Sequence, residues 1–142
     1  QPLFEALGAH CFAIDPAGKT LYHAGAVLAC NTLVALMEAA LRCMEGAGVP
    51  RDAAWPALLP LIEGTLANVG RLGTAAALTG PVARGDVTTV ARQLEATDAL
   101  APAIGAIYRS LSQLATELPG SGLADARRAA LVSLLASPPS RA

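Results

Sequence analysis

Charge is scarce in this sequence. Of its 142 residues only 15% are Asp, Glu, Lys or Arg, and the net charge is −1 at pH 7. No basic run is present, which excludes the electrostatic footprint of a nucleic-acid binder or of a protein held on an anionic membrane. Aromatic residues are also few, at 4%. The three cysteines, Cys11, Cys30 and Cys43, form no C-x-x-C pair and no even set, so neither a zinc site nor a disulfide framework is expected. Each lies among apolar neighbours, and buried, reduced thiols in a cytoplasmic protein are expected instead. Residues 1–10 lack a basic stretch followed by an apolar one, the pattern of a secretory signal.

Nucleotide signatures are lacking too. A dinucleotide fold needs G-x-G-x-x-G between a strand and a helix, so that backbone N–H groups meet the pyrophosphate. The nearest approach, Gly120-Ser121-Gly122, follows a helical pattern, has no third glycine and no strand before it. It reads as a helix-to-helix turn. No P-loop is present. Arg84-Gly85-Asp86 spells an adhesion tripeptide by coincidence; Asp86 reads as a helix N-cap and Gly85 as the turn before it.

Apolar residues, by contrast, make up 54% of the chain, and the mean hydropathy is +0.47. A chain of this length builds one domain with a core but cannot hide so much apolar surface, so an interface with a second chain or domain is expected. Ala24 to Met44 is long enough to span a membrane, yet it carries Asn31, Glu38 and Arg42. A mid-helix charge costs about 3 kcal/mol on insertion, so a buried helix of a soluble protein is expected, with no membrane partner.

The order of elements follows from period and punctuation. Pro2 to Leu7 reads as a short helix ending at Gly8, and His10 to Asp15 (HCFAID) as a strand apolar on both faces. No second strand follows. A lone strand leaves its backbone groups unpaired, so it is expected to pair with a missing N-terminal sheet or with a copy from another subunit. The start at Gln1, with no initiator Met, fits a preceding segment.

Everything after the Pro16–Gly18 turn reads helical. The first long helix, about Lys19 to Glu45, is apolar nearly all round and is expected to be central. The second starts near Asp52 and runs toward Leu72, with Pro60 kinking it or marking its true start. A loop, Gly73 to Asp86, precedes a third helix with Val87, Val90, Ala91 and Leu94 at helical spacing. The fourth, about Pro102 to Leu118, carries a stripe of Ile104, Ile107, Tyr108, Leu111, Leu114 and Ala115. The fifth runs from Leu123 to Ala136, and the tail from Ser137 is expected to be disordered.

Two polar sets interrupt these apolar helices. Lys19 and His23 are four apart and share a helix face, with Asn31 two turns on along roughly the same side. A cation and an imidazole can exchange a proton with a carbonyl or alcohol oxygen, while a carboxamide holds the substrate. On spacing alone the simpler account is favoured, in which Lys19 is solvated and His23 and Asn31 make structural hydrogen bonds. The second set is Thr65 and Asn68, three apart on an apolar helix, with Thr79, Gly80 and Arg84 in the following loop. Buried polar groups there would need partners. Arg84 can clamp a carboxylate or phosphate through its planar fork, or be a surface cation; spacing leaves both open.

Three stretches, taken together, resemble a known family. They are F-x-I-D-x-x-x-K-x-x-Y-H-A-x-A-V-x-A-x-N from Phe12 to Asn31, L-L-P-L-I-E-G-T-L-x-N-V from Leu58 to Val69, and A-L-T-G-P-V-A-R-G-D from Ala77 to Asp86. They resemble the C-terminal domain of unknown function that follows a Rossmann-like domain in NADP-dependent oxidoreductases. That domain is similar in fold to the C-terminal domains of the 6-phosphogluconate dehydrogenase type, as in pyrroline-5-carboxylate and ketopantoate reductases. The resemblance implies an all-α bundle that forms a homodimer, leans on an N-terminal Rossmann-like domain holding NADP, and closes a crevice around a small carbonyl or imine substrate. By the same resemblance Lys19 and His23 are the candidate catalytic residues, and Asn31, Thr65, Asn68, Thr79 and Arg84 the candidate substrate-binding ones. Residues 1–18 are then a helix-strand remnant of the α/β domain, 19–137 the helical substrate and dimerisation domain, and 138–142 a tail. The contrasting expectation is a non-catalytic helical interaction domain.

Overall fold

In the computed structural model, which describes residues 4, 6–8, 11–119 and 122–137, Asp15 organises the first turn. Its carboxylate accepts the Ala17 N–H at 2.8 Å and caps a 3-10 turn, Pro16–Gly18, which leads into α1, Lys19–Ala29. Phe12 packs edge-on against Tyr22, with ring centroids 5.9 Å apart. The chain forms two compact units, residues 1–38 and 39–142. α2, Asn31–Gly46, begins in the first and ends in the second.

Several expectations for this first stretch need correction. Among the described residues there is no strand, and Cys11–Ile14 is irregular backbone. His10 lies outside the described residues, as does part of the expected helix from Pro2, although Gly8 does take the left-handed φ of +82°. The expected helix from Lys19 to Glu45 is two helices, broken at Cys30 (φ −120°, ψ −63°). The Thr32 hydroxyl donates to the Leu28 carbonyl at 2.8 Å, the back-bonding that bends helices.

Nor is this stretch central. α1 buries no residue and α2 only Ala39. By length and composition Pro16–Gly46 is apolar enough to cross a membrane, and 6% of its most apolar window is buried. Nor are the thiols buried as expected: Cys11 and Cys30 are exposed and Cys43 is only partly covered, all three free.

Glycine and proline then set the joints. Gly48, at φ +86°, ends α2 in a Schellman turn, in which Val49 N–H donates to Met44 O and Gly48 N–H to Glu45 O. Pro50, extended, precedes α3, Arg51–Ala77. Pro60 neither starts nor breaks α3; the single non-helical residue inside it is Gly73 (φ 78°, ψ 168°). The expected loop from Gly73 to Asp86 is largely helical, ending in α4, Gly80–Arg84. A second Schellman turn closes α4 at Gly85 (φ +66°), with Asp86 N–H on Pro81 O and Gly85 N–H on Val82 O.

Asp86 caps α5, Val87–Leu100, as its position predicts. One residue, Ala101, joins α5 to α6, Pro102–Thr116, and α7 spans Asp125–Ala136. α4 to α7 pack together around Val82, Val90, Leu94, Leu123, Leu131 and Leu135. Burying a leucine side chain contributes about 1.5–3 kcal/mol, so this cluster holds most of the unit's packing energy. α3 contributes nothing to it: Leu59, Leu61, Leu66 and Leu72 are all exposed.

The inward face of α6 is the expected stripe only in part, with Ile104 buried and Tyr108 and Ala115 packed against the core. Ile104, Gly105, Ser112 and Thr116 are buried, while Leu111 and Leu114 are 46% and 58% exposed. A close approach of two helices sets this rotation. A Cβ on Gly105 would stand 2.9 Å from the Asp98 Cα, so only glycine lets α5 and α6 meet there. Arg109 and Gln113 on α6 then reach the Leu135 carbonyl of α7.

Candidate functional site

The candidate residues divide between the two units. Lys19 and His23 share a face of α1, and Asn31 opens α2, all in the first unit. Thr65, Asn68, Thr79 and Arg84 lie in the second. All seven are exposed. Thr65 and Asn68, expected to be buried and in need of partners, are satisfied locally instead. The Thr65 hydroxyl donates to the Leu61 carbonyl at 2.8 Å, and Asn68 Oδ1 accepts from Arg71 Nη2 at 3.0 Å. Thr79 is the N-cap of α4 but makes no side-chain capping bond.

Arg84 stands in a formed surface feature. An open depression of about 500 Å³ is lined by Arg84, Gly85, Asp86, Val87, Thr88 and Arg127. Asp86 is bound on both oxygens by Thr89, Oδ1 by the backbone N–H at 3.0 Å and Oδ2 by the hydroxyl at 2.7 Å. These two bonds hold its pKa below the ordinary carboxylate value, with Arg84 and Arg92 adding to the effect. Arg127 donates from Nη1 to the Arg84 carbonyl at 2.7 Å. Reading the sequence does not find Arg127, because the only link between the two arginines is tertiary, across the α4–α5 turn to α7.

Among the described residues no three His, Cys, Asp or Glu side chains gather to hold a metal ion. Nor do the residues present suit a dinucleotide. The glycine fingerprint is absent from the sequence, and no strand among the described residues leads into a helix N-terminus.

The chain is therefore a helical domain whose second unit holds a four-helix core and a basic surface depression. The model of a family described as a domain of unknown function (DUF2520) matches residues 1–115, and the chain belongs to that family. No curated protein and no solved structure matches the chain.

Proposed function

We propose that this chain is the substrate-binding and dimerisation domain of an NADP-dependent oxidoreductase acting on a small carbonyl or imine compound. The observation that carries this reading is apolar surface left uncovered on helices that polar residues interrupt. In the first unit Leu21, Leu28 and Val34 are 79%, 67% and 72% exposed, and α3 of the second unit adds Leu61 and Leu66. Soluble chains expose such runs where another domain or subunit covers them.

In this reading NADP is held mainly by that Rossmann-like domain, since this chain's residues do not fit the nucleotide. Lys19 and His23 are the candidates for exchanging a proton with the substrate oxygen or nitrogen, and Asn31, Thr65, Asn68, Thr79 and Arg84 are the candidates for holding the substrate. A second reading, a non-catalytic helical interaction domain, draws on the local bonding of Thr65 and Asn68. One experiment separates the two. Thermal-shift titration of the full-length protein with NADP(H) and small keto acids is expected to raise the melting temperature. No shift with any nicotinamide cofactor removes the oxidoreductase reading.

Assembly is a separate prediction. Apolar side chains of α5 to α7 largely meet in their own core, so the expected dimer contact through these later helices is reduced to Leu100, Leu111, Leu114 and Val132. α3, with Trp55, Leu59, Leu61 and Leu66 exposed, offers the broader face. Light scattering at micromolar concentration is expected to give twice the monomer mass, and Leu66→Glu to halve it. A wild-type monomer contradicts the dimer.

A further inference from the structure

The depression between the α4–α5 turn and α7 holds two cations, Arg84 and Arg127, against one carboxylate, Asp86. Among the described residues neither Arg84 nor Arg127 forms an ion pair of the kind that joins Arg51 to Glu45 and Arg109 to Asp98. The one carboxylate in the depression, Asp86, has both oxygens committed to Thr89. Arg127 gives one N–H to the Arg84 carbonyl and keeps the rest of its fork, while the Arg84 guanidinium makes no hydrogen bond among the described residues. The pairing is built into the backbone. A Cβ on Gly85 would lie 2.6 Å from the Arg127 Cβ and 2.9 Å from Leu123 Cδ1, so a glycine in the left-handed region lets α7 come this close. Leu123 belongs to the core, which ties the position of Arg127 to the packing of the whole unit.

Guanidinium groups so placed suit a planar or tetrahedral oxyanion, each offering two parallel donors. We propose that this depression binds the anionic group, carboxylate or phosphate, of the domain's small-molecule substrate through Arg84 and Arg127. The inference rests on the substrate-domain reading and narrows it to anionic carbonyl or imine compounds. It also adds a residue, Arg127, that lies beyond the family-matched segment.

The test uses the isotopically labelled protein, titrated with inorganic phosphate and separately with acetate, against chloride at equal ionic strength. Saturable amide shifts are expected at Gly85, Val87 and Thr88, and the anion that binds tighter names the group. Arg84→Gln and Arg127→Gln should each weaken binding about tenfold or more, the effect of losing one charge-assisted bond. Arg127→Lys, which keeps the cation, should weaken it less, and Arg71→Gln on α3 should leave it unchanged. Should Arg127→Gln disturb folding, Arg84→Gln alone decides, because its guanidinium makes no hydrogen bond among the described residues and Thr89 keeps the Asp86 cap in place. Equal shifts with chloride, or full affinity in Arg84→Gln, mean an adventitious ion only and overturn the proposal. That failure leaves the NADP(H) thermal shift untouched, whereas anion binding without any nicotinamide shift removes the oxidoreductase reading alone.

Discussion

A chain ended after Leu118 should lose the cooperative thermal transition of the 39–142 unit. The removed part contains Leu123, Leu131 and Leu135, three of the six residues that form the buried cluster. At about 1.5–3 kcal/mol each, their burial is worth roughly 5–9 kcal/mol as an upper bound. Whole domains are stable by only about 5–15 kcal/mol, so the loss is of the same size as the total. The deletion also opens Val90 and Leu94 to water and frees Gln113 from the Leu135 carbonyl and the Thr116 carbonyl from Arg128.

Far-UV circular dichroism during heating reads the effect, with Leu131→Ala as the graded companion. Leu131 is wholly buried, and its truncation should lower stability by about 2–5 kcal/mol while the transition stays cooperative. A sharp transition near the wild-type midpoint in the shortened chain would show that α7 is an accessory. The outcome matters for how the family is delimited. The match ends at residue 115, yet the core of this chain is completed by residues 123–135.

What the sequence made legible was mostly local. Asp86 as a cap, Gly85 as the turn before it and Pro102 as the first residue of a helix each depend on neighbours within a few positions. The inward face of α6 does not. Hydrophobicity favours Leu111 and Leu114, but Gly105 lets Asp98 approach so closely that Ser112 and Thr116 turn inward and the leucines outward. Period alone cannot register a missing side chain as a contact. The apolar run from Leu21 to Met37 shows another limit, because hydropathy demands a cover without saying which chain supplies it. The same holds for Phe12 and Ile14, whose alternation reads as a strand while Cys11–Ile14 is irregular backbone. Of the candidate site, Arg84 was readable as a possible anion clamp and Arg127 was not, since α7 reaches it only through the fold.

Arg109→Met should lower stability by about 2–3 kcal/mol, the cost of removing charge-assisted hydrogen bonds from partly covered partners. Three elements converge on this guanidinium. Nη2 pairs with Asp98 Oδ2 at 3.0 Å on α5, while Nη1 donates to the Ser137 carbonyl at 2.7 Å and the Leu135 carbonyl at 3.3 Å. The paired side chains are only 15% and 23% exposed, so solvent screens them weakly. The last carbonyls of a helix have no partners within it, and a cation there also meets the negative end of the helix dipole. Arg109→Met keeps the apolar stem but strands the Asp98 carboxylate and the Ser137 carbonyl, while the Leu135 carbonyl keeps Gln113. Arg109→Lys should restore part of the loss, because an ammonium cannot span Asp98 and two carbonyls in one plane. A double-mutant cycle with Asp98→Asn separates the ion pair from the cap: the coupling energy belongs to the pair, and what Arg109→Met still costs in the Asp98→Asn background belongs to α7. Hydrogen exchange should place that remainder at the amides of the last turn of α7. If stability and exchange there match the wild type in Arg109→Met, α7 is held by its leucines alone.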